Sequence, residues 1–212
     1  MVLLTGGAGF IGSHVVRALL AEGREVRILD ALLPAVHRTT PRPPDGAEMI
    51  VGDVRDGETV RRALVGVDAV CHQAGMVGLG RNIGEIADYA SHNDLGTAVL
   101  LRELVAAGYA GPVVHASSMV VYGEGAYRCV DHGRVRPAPR DLADLAAGRF
   151  DPGCPACGRA LTPEAIEEDA PLEPRGVYAA TKVHQEHLLR AFSRETGVAV
   201  TMLRYHNVYG PG

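Results

Sequence analysis

The sequence predicts an α/β fold built on a doubly wound parallel sheet. Three observations carry that prediction. Short apolar runs alternate with segments of helical period, the runs are apolar throughout instead of at every second residue, and a glycine-rich turn separates the first run from the first helix. Continuous apolar runs are what strands buried on both faces require.

Residues 2–4 form the first run and 6–12 the glycine turn, and 10–22 has helical spacing through Ile11, Val15 and Leu19. Further strands are expected at 26–30, 49–52, 69–71, 113–116 and 199–204. Helices are expected at 59–64, at 93–107 with Leu95, Val99, Leu100 and Leu104 inward, and at 177–196. The proline-bearing stretch 31–46 reads as a loop within the fold, and the proline-rich stretch 123–174, without a sheet pattern, as an insertion. The expected division is therefore a core over 1–122, an insertion over 123–174 and a continuation of the core over 175–212. The sixth strand is followed almost at once by position 212, so a separate substrate lobe is expected to be absent from this sequence.

A net charge of −4 gives no electrostatic case for nucleic acid or an anionic membrane. No apolar run approaches the roughly 20 residues of a membrane helix. The first residues lack a basic segment and run straight into a strand, unlike a signal peptide. With 4 cysteines, this places the chain in a reducing cytoplasm without disulfides. Of 21 lysines and arginines only Lys182 is a lysine. An amine kept in a chain that otherwise uses guanidinium calls for a chemical reason.

Gly6, Gly9 and Gly12 give G-x-x-G-x-x-G between a strand and a helix, and Asp30 ends the second strand. Glycines permit a tight turn and close approach to a pyrophosphate, which the helix N-terminus then attracts. Asp30 would accept bonds from both ribose hydroxyls and repel a 2′-phosphate. The combination describes a Rossmann site for NAD. Asp53, after the third strand, could meet the adenine amino group or instead cap the short helix that follows. Ala74 and Gly75, after the fourth, are small enough for close backbone approach.

Tyr178 and Lys182 lie at i and i+4 on one helix face. An ammonium beside a phenol should lower its pKa toward neutrality and make a general base for a sugar or alcohol hydroxyl. Ser117 and Ser118 end the fifth strand at the sheet edge where open α/β sheets bind ligands. In the insertion, Cys129-x-x-His132 and Cys154-x-x-Cys157 have the double-pair layout of a structural zinc site. Cys71, in an apolar strand, reads as a buried small hydrophobe.

The motifs TGGAGFIGSH at 5–14, SSMVVYG at 117–123, Tyr178-x-x-x-Lys182 and LRYHNVYGPG at 203–212 resemble the extended short-chain dehydrogenase/reductase family, and within it the nucleotide-sugar epimerases. HQAGMVGLG at 72–80, HNDLGTAVLL at 92–101 and the cysteine-bearing insert resemble the dTDP-L-rhamnose 4-epimerase subfamily. The resemblance implies catalytic roles for Ser118, Tyr178 and Lys182. It implies that Phe10, Ile11, Val54, Asn93, Ser117, Tyr205 and Val208 join the cofactor site, that Met119 and Asn207 face a nucleotide-diphosphate sugar, and that a homodimer forms through 93–107 and 177–196. Related dehydratases carry an Asp-Glu pair where this chain has Met119 and Val120. Without those carboxylates, 4-epimerisation is the expected reaction. A nucleotide-sugar reductase or dehydrogenase and a non-catalytic NAD-binding protein are the alternatives.

Overall fold

The computed structural model describes residues 1–34, 36–37, 41–78 and 83–211. Leu79, Gly80 and Gly212, which close two of the motifs above, lie outside them.

Six strands form one parallel sheet: β1 (Val2–Thr5), β2 (Val26–Asp30), β3 (Ala47–Val51), β4 (Ala69–His72), β5 (Val113–Ser118) and β9 (Val200–Tyr205), in the order β3-β2-β1-β4-β5-β9. Successive side chains point to opposite faces. Leu3 and Leu29 join Val60, Val70, Leu100, Leu104, Leu189 and Phe192 on one face. Leu4 and Ile28 join Val16 and Val26 on the other. Strand order reverses between β1 and β4, which pair from Val2↔Ala69 to Thr5↔His72. The carboxyl ends of these two strands therefore open the crevice where a parallel α/β sheet binds its ligand.

Helix α1 (Phe10–Ala21) starts from Gly9 without a side-chain cap. Helix α2 (Gly57–Ala63) is capped by Asp56, whose carboxylate accepts from the Glu58 and Thr59 amides. The helix expected at 93–107 begins earlier, as α3 (Ile86–Tyr89), a π-helical stretch (Ala90–Leu95) and α4 (Gly96–Ala106). Its first turns carry little apolar periodicity, so the pattern was readable only from Leu95 onward. A Cβ on Gly96 would lie 2.8 Å from Val54, so glycine lets this helix approach the loop after β3. Helix α6 (Val177–Thr196) covers the expected range and ends on Gly197 at φ +75°.

The expectation of an insert without a sheet is corrected. Strands β6 (Ala126–Cys129), β7 (Gly133–Val135) and β8 (Thr162–Glu164) form a small antiparallel sheet in the order β7-β6-β8, with helix α5 (Leu142–Ala146) between β7 and β8. Three- and four-residue strands are too short to show a period of two, and Pro163 is tolerated because β8 is an edge. The insert's exit returns to its entrance: the Glu173 amide donates to the Val121 carbonyl at 2.8 Å. No helix among the described residues is long and apolar enough to cross a membrane.

Candidate active site

The glycine turn divides into two kinds of glycine. At Gly6 (φ +71°) a Cβ would lie 2.6 Å from the Ala74 amide nitrogen, and at Gly12 one would lie 2.2 Å from the Gly6 carbonyl oxygen. Gly6 is demanded by the close pass of the backbone after β4, and Gly12 by the packing of α1 on the turn. A Cβ on Gly9 would find its nearest neighbour, the Gly6 oxygen, at 3.4 Å. The fold alone does not require glycine there, at the mouth of the uncapped N-terminus of α1. A ligand approaching that backbone would require it, and an anion is what the free N–H groups attract. Phe10 and Ile11 open the helix, the Phe10 ring standing edge-on to His14 at 5.4 Å.

Asp30 accepts from the Ala8 amide (3.0 Å) and the Leu32 amide (2.9 Å), with His37 Nε2 3.7 Å away. These bonds hold the carboxylate beside the glycine turn and leave lone pairs for hydroxyl donors. Asp53 is not a helix cap, a role Asp56 fills. Both its oxygens are clasped by the Arg55 guanidinium, whose bonds hold the carboxyl below its usual range against the effect of burial. Arg55 in turn donates to Ser91 Oγ at 2.7 Å. Val54 is buried. With the acid at the end of β2, the spare glycine and the open helix end, these residues fit an NAD-type dinucleotide.

At the other side of the crevice, Ser118 lies near the Tyr178 phenol. Its Oγ also accepts from the Val120 amide at 3.4 Å, starting the short turn Met119–Tyr122. Lys182 is buried, donates to the Ala116 carbonyl at 2.9 Å, and holds its Nζ 5.7 Å from the centre of the Tyr178 ring. A Cβ on Gly75 would lie 3.6 Å from that Nζ, so the backbone after β4 passes directly by the amine.

The expected depression of the Tyr178 pKa by Lys182 is not found. Burial pushes the phenol up and the Ser118 bond pulls it down. The ammonium is aimed at a carbonyl, and burial pushes its own pKa down to about 8, partly offset by Asp94. The arrangement places the Ser118 hydroxyl near Tyr178 and a cation 5.7 Å from the centre of its ring.

A buried polar chain, which the sequence reading missed, ties this edge to the glycine turn. Asn93 sits in the π-helical stretch; its Oδ1 accepts from the Met76 amide (2.6 Å), and its Nδ2 donates to the Met76 carbonyl and to Thr181 Oγ1, both at 3.0 Å. Gln185 Nε2 donates to the Asn93 carbonyl (3.1 Å) and to Thr97 Oγ1 (2.6 Å). Thr97 meets His72 Nε2 at 3.0 Å, and His72 Nδ1 meets Thr5 Oγ1 at 2.7 Å. Hydroxyl donation from Thr97 and N–H donation from Nδ1 satisfy both His72 nitrogens, while Gln185 Oε1 is buried with no partner among the described residues. Widening of the helix to π geometry is a common way to aim a side chain at a site.

The remaining expected residues are spread. Ser117 turns its hydroxyl away from the crevice to Glu186 Oε1 at 2.6 Å. Glu186 is fully buried, and Arg204 clasps it with bonds of 2.9 and 2.8 Å. Burial opposes its charge, but the bonds from Arg204 and Ser117 outweigh this and keep the carboxyl below its usual value. Arg204 also donates to Tyr122 Oη (2.5 Å) and to the Glu168 carbonyl (2.6 Å), linking core and insert. Met119 is half-buried in the turn after Ser118, and Tyr205 Oη lies 3.3 Å from Gln73 Nε2. Asn207 and Val208 are exposed on the segment after β9, which reaches α1 where His14 Nε2 meets the Pro211 carbonyl at 2.9 Å.

In the insert, Cys129, His132, Cys154 and Cys157 come together with all four ligand atoms within 4.8 Å of one another. Cys71 lies apart in β4, half-buried, where burial pushes its thiol up.

A crevice at the strand-order reversal of a parallel sheet, with a glycine turn and an acid on one side and Ser118, Tyr178 and Lys182 on the other, is the Rossmann-like layout of the short-chain dehydrogenase/reductase class. The model of the NAD dependent epimerase/dehydratase family matches residues 2–140 and 155–212, and the chain belongs to that family. A dTDP-L-rhamnose 4-epimerase from Burkholderia thailandensis is 36% identical over 217 residues, covering 100% of this chain and 58% of that protein. A UDP-glucose 4-epimerase from Thermus thermophilus in complex with NAD superimposes with a TM-score of 0.71 at 32% identity, over 99% of this chain and 56% of that one. A dTDP-glucose 4,6-dehydratase from Streptomyces venezuelae with NAD bound gives 0.75 at 33%, over 100% and 57%. The chain thus spans little more than half the length of these relatives.

Proposed function

We propose that this protein is an NAD-dependent nucleotide-sugar 4-epimerase, with dTDP-L-rhamnose as the favoured substrate. The observation that carries the reading is the grouping of Ser118 near the Tyr178 phenol with the Lys182 amine 5.7 Å from the phenol ring and beside the backbone of Gly75. Tyr178 takes the proton of the C4 hydroxyl, and Ser118 donates a hydrogen bond to the oxygen that carries the developing charge. Lys182, its amine held on the Ala116 carbonyl, supplies a fixed cation behind the phenol ring. When bound, NAD would supply a reversible hydride acceptor for C4 of the sugar, the chemistry that inversion at C4 requires. Gly6, Gly9, Gly12 and Asp30 would hold its pyrophosphate and ribose, with Ala74, Gly75 and Val54 lining it.

Elimination of water, the chemistry named for the Streptomyces relative, needs an acid–base pair beyond the tyrosine. Met119 and Val120 offer no titratable group after Ser118. Asn207 and Met119 are assigned to the sugar nucleotide. A homodimer through α4 and α6 completes the reading, favoured by the exposed apolar Val105 on the first of these helices and by Leu95, expected inward but exposed, at the end of the π-helical stretch before it.

Tyr178→Phe in the full-length enzyme should lower interconversion of dTDP-L-rhamnose and its C4 epimer by at least roughly 10²-fold while NAD stays bound. Retained turnover would sink the mechanism. Net accumulation of NADH with substrate would instead identify a dehydrogenase, and bound NAD without turnover in the parent enzyme a binding protein.

A further inference from the structure

We propose that Cys129, His132, Cys154 and Cys157 bind one structural zinc ion that serves as the core of the insert. Two tight turns build the site. The hairpin β6–β7 pairs Cys129 with Gly133 (φ +67°), which brings His132 back beside Cys129. The second turn is closed by the Gly158 amide donating to the Cys154 carbonyl at 2.7 Å and the Cys154 amide donating to the Arg159 carbonyl at 2.8 Å, with Gly158 at φ +72°. An ion pair between Arg159 and Asp131 at 3.0 Å joins the two turns.

The distances carry the choice of metal. Zinc bound tetrahedrally, with Zn–S of about 2.3 Å and Zn–N of about 2.0–2.1 Å, sets ligand edges of about 3.8 Å between sulfurs and about 3.5 Å between sulfur and nitrogen. Cys129 Sγ lies 3.7 Å from Cys157 Sγ and 3.5 Å from His132 Nδ1, and Cys154 Sγ lies 3.8 Å from that nitrogen. A disulfide would need a sulfur separation of about 2.05 Å. Three thiolates and one imidazole are a soft donor set that favours zinc over oxygen-seeking cations. Four protein ligands leave no open position, so the ion is structural.

Burial supplies an independent argument. Between 123 and 174 the buried residues are Cys129, Pro137 and Cys154, whereas the apolar Val130, Leu142 and Phe150 are exposed. Two of the three buried side chains are thus ligands, and no apolar cluster holds this segment together. A metal is the staple such a small unit needs. The position gives the staple a consequence. The insert leaves the core directly after the Ser118 turn, and its exit packs on Val121 just before Tyr178. A Cβ on Gly123 would lie 2.4 Å from the Glu173 carbonyl oxygen, so entrance and exit cross in close contact. The inference stands whether or not the epimerase reading holds.

Metal analysis of the full-length protein purified without added chelator tests it. One equivalent of zinc per chain is expected, retained by Cys71→Ser and lost on gel filtration by Cys154→Ser and by Cys157→Ser. Stripping the parent protein with a chelator at neutral pH should expose 123–174 to limited proteolysis, and adding zinc alone should restore resistance. This second readout does not depend on the variants folding. Folded parent protein that carries no zinc, and does not take up an equivalent when reduced and given zinc, would overturn the proposal, as would one equivalent of a different metal.

Discussion

His72 and His115 lie under the site on neighbouring strands, their rings 5.3 Å apart and both buried. Burial, with Lys182 nearby, pushes the pKa of His72 down to about 3 and that of His115 well below its ordinary value. Both are therefore neutral in the folded chain and take a proton on unfolding below about pH 6.5. The unfolded state then binds more protons, so stability is fully present above that pH and falls as the solution is acidified, by about 1.4 kcal/mol per pH unit for each histidine. His115 has no hydrogen-bond partner on either ring nitrogen. His115→Leu should therefore remove one histidine's share of the acid slope without lowering the melting temperature at pH 7. Denaturant titrations at pH 4.5 and 6 would show it; an unchanged slope would mean that His115 is charged in the folded state. The spacing of Tyr178 and Lys182 was legible because i and i+4 share a helix face. Where Lys182 points was not, because the Ala116 carbonyl that receives it lies on another element.

Glycine positions separate fold from function at the level of the element. Gly12→Ala places a methyl 2.2 Å from a backbone oxygen and forces α1 off the turn, so it should destabilise by several kcal/mol. Gly9→Ala has room within the protein, so thermal stability should be nearly unchanged while NAD affinity falls at least roughly tenfold through lost approach to the helix end. Calorimetry of both variants with and without NAD checks the contrast; equal loss of stability in the two would refute it. The strands of the main sheet were legible as apolar runs, and α6 as a clean helical period. The small sheet of the insert was not, because its strands are short and expose alternate residues that include Arg128 and Arg134. Nor was the early start of the helix that carries Asn93, whose first turns owe their position to tertiary contacts such as Tyr89 against Tyr178, with rings 6.3 Å apart.

Across the whole molecule, Glu186 and Arg204 join what the chain order separates. They connect β5, α6 and β9, and through Glu168 they hold the insert. Removing Arg204 strips the buried Glu186 of two charge-assisted bonds and leaves it only Ser117 and the half-exposed Arg190 at 3.3 Å, so Arg204→Leu should cost about 3 kcal/mol, and the double replacement Arg204→Leu with Glu186→Leu should recover part of it. Chemical denaturation of the single and double variants measures the coupling, and a double variant as unstable as the sum of the two singles would remove the case for it. This pairing was invisible in the sequence, where a glutamate on a helix and an arginine in a strand read as solvated side chains.

Lys182 gives the chain one more property. Within these 212 residues Lys182 is the only lysine, and it is 3% exposed. Acylation of Lys182 would require the site to open. The same residue that holds charge behind Tyr178 is thus a built-in chemical reporter, and the rate at which its amide adduct appears in a peptide map times the opening of the catalytic edge.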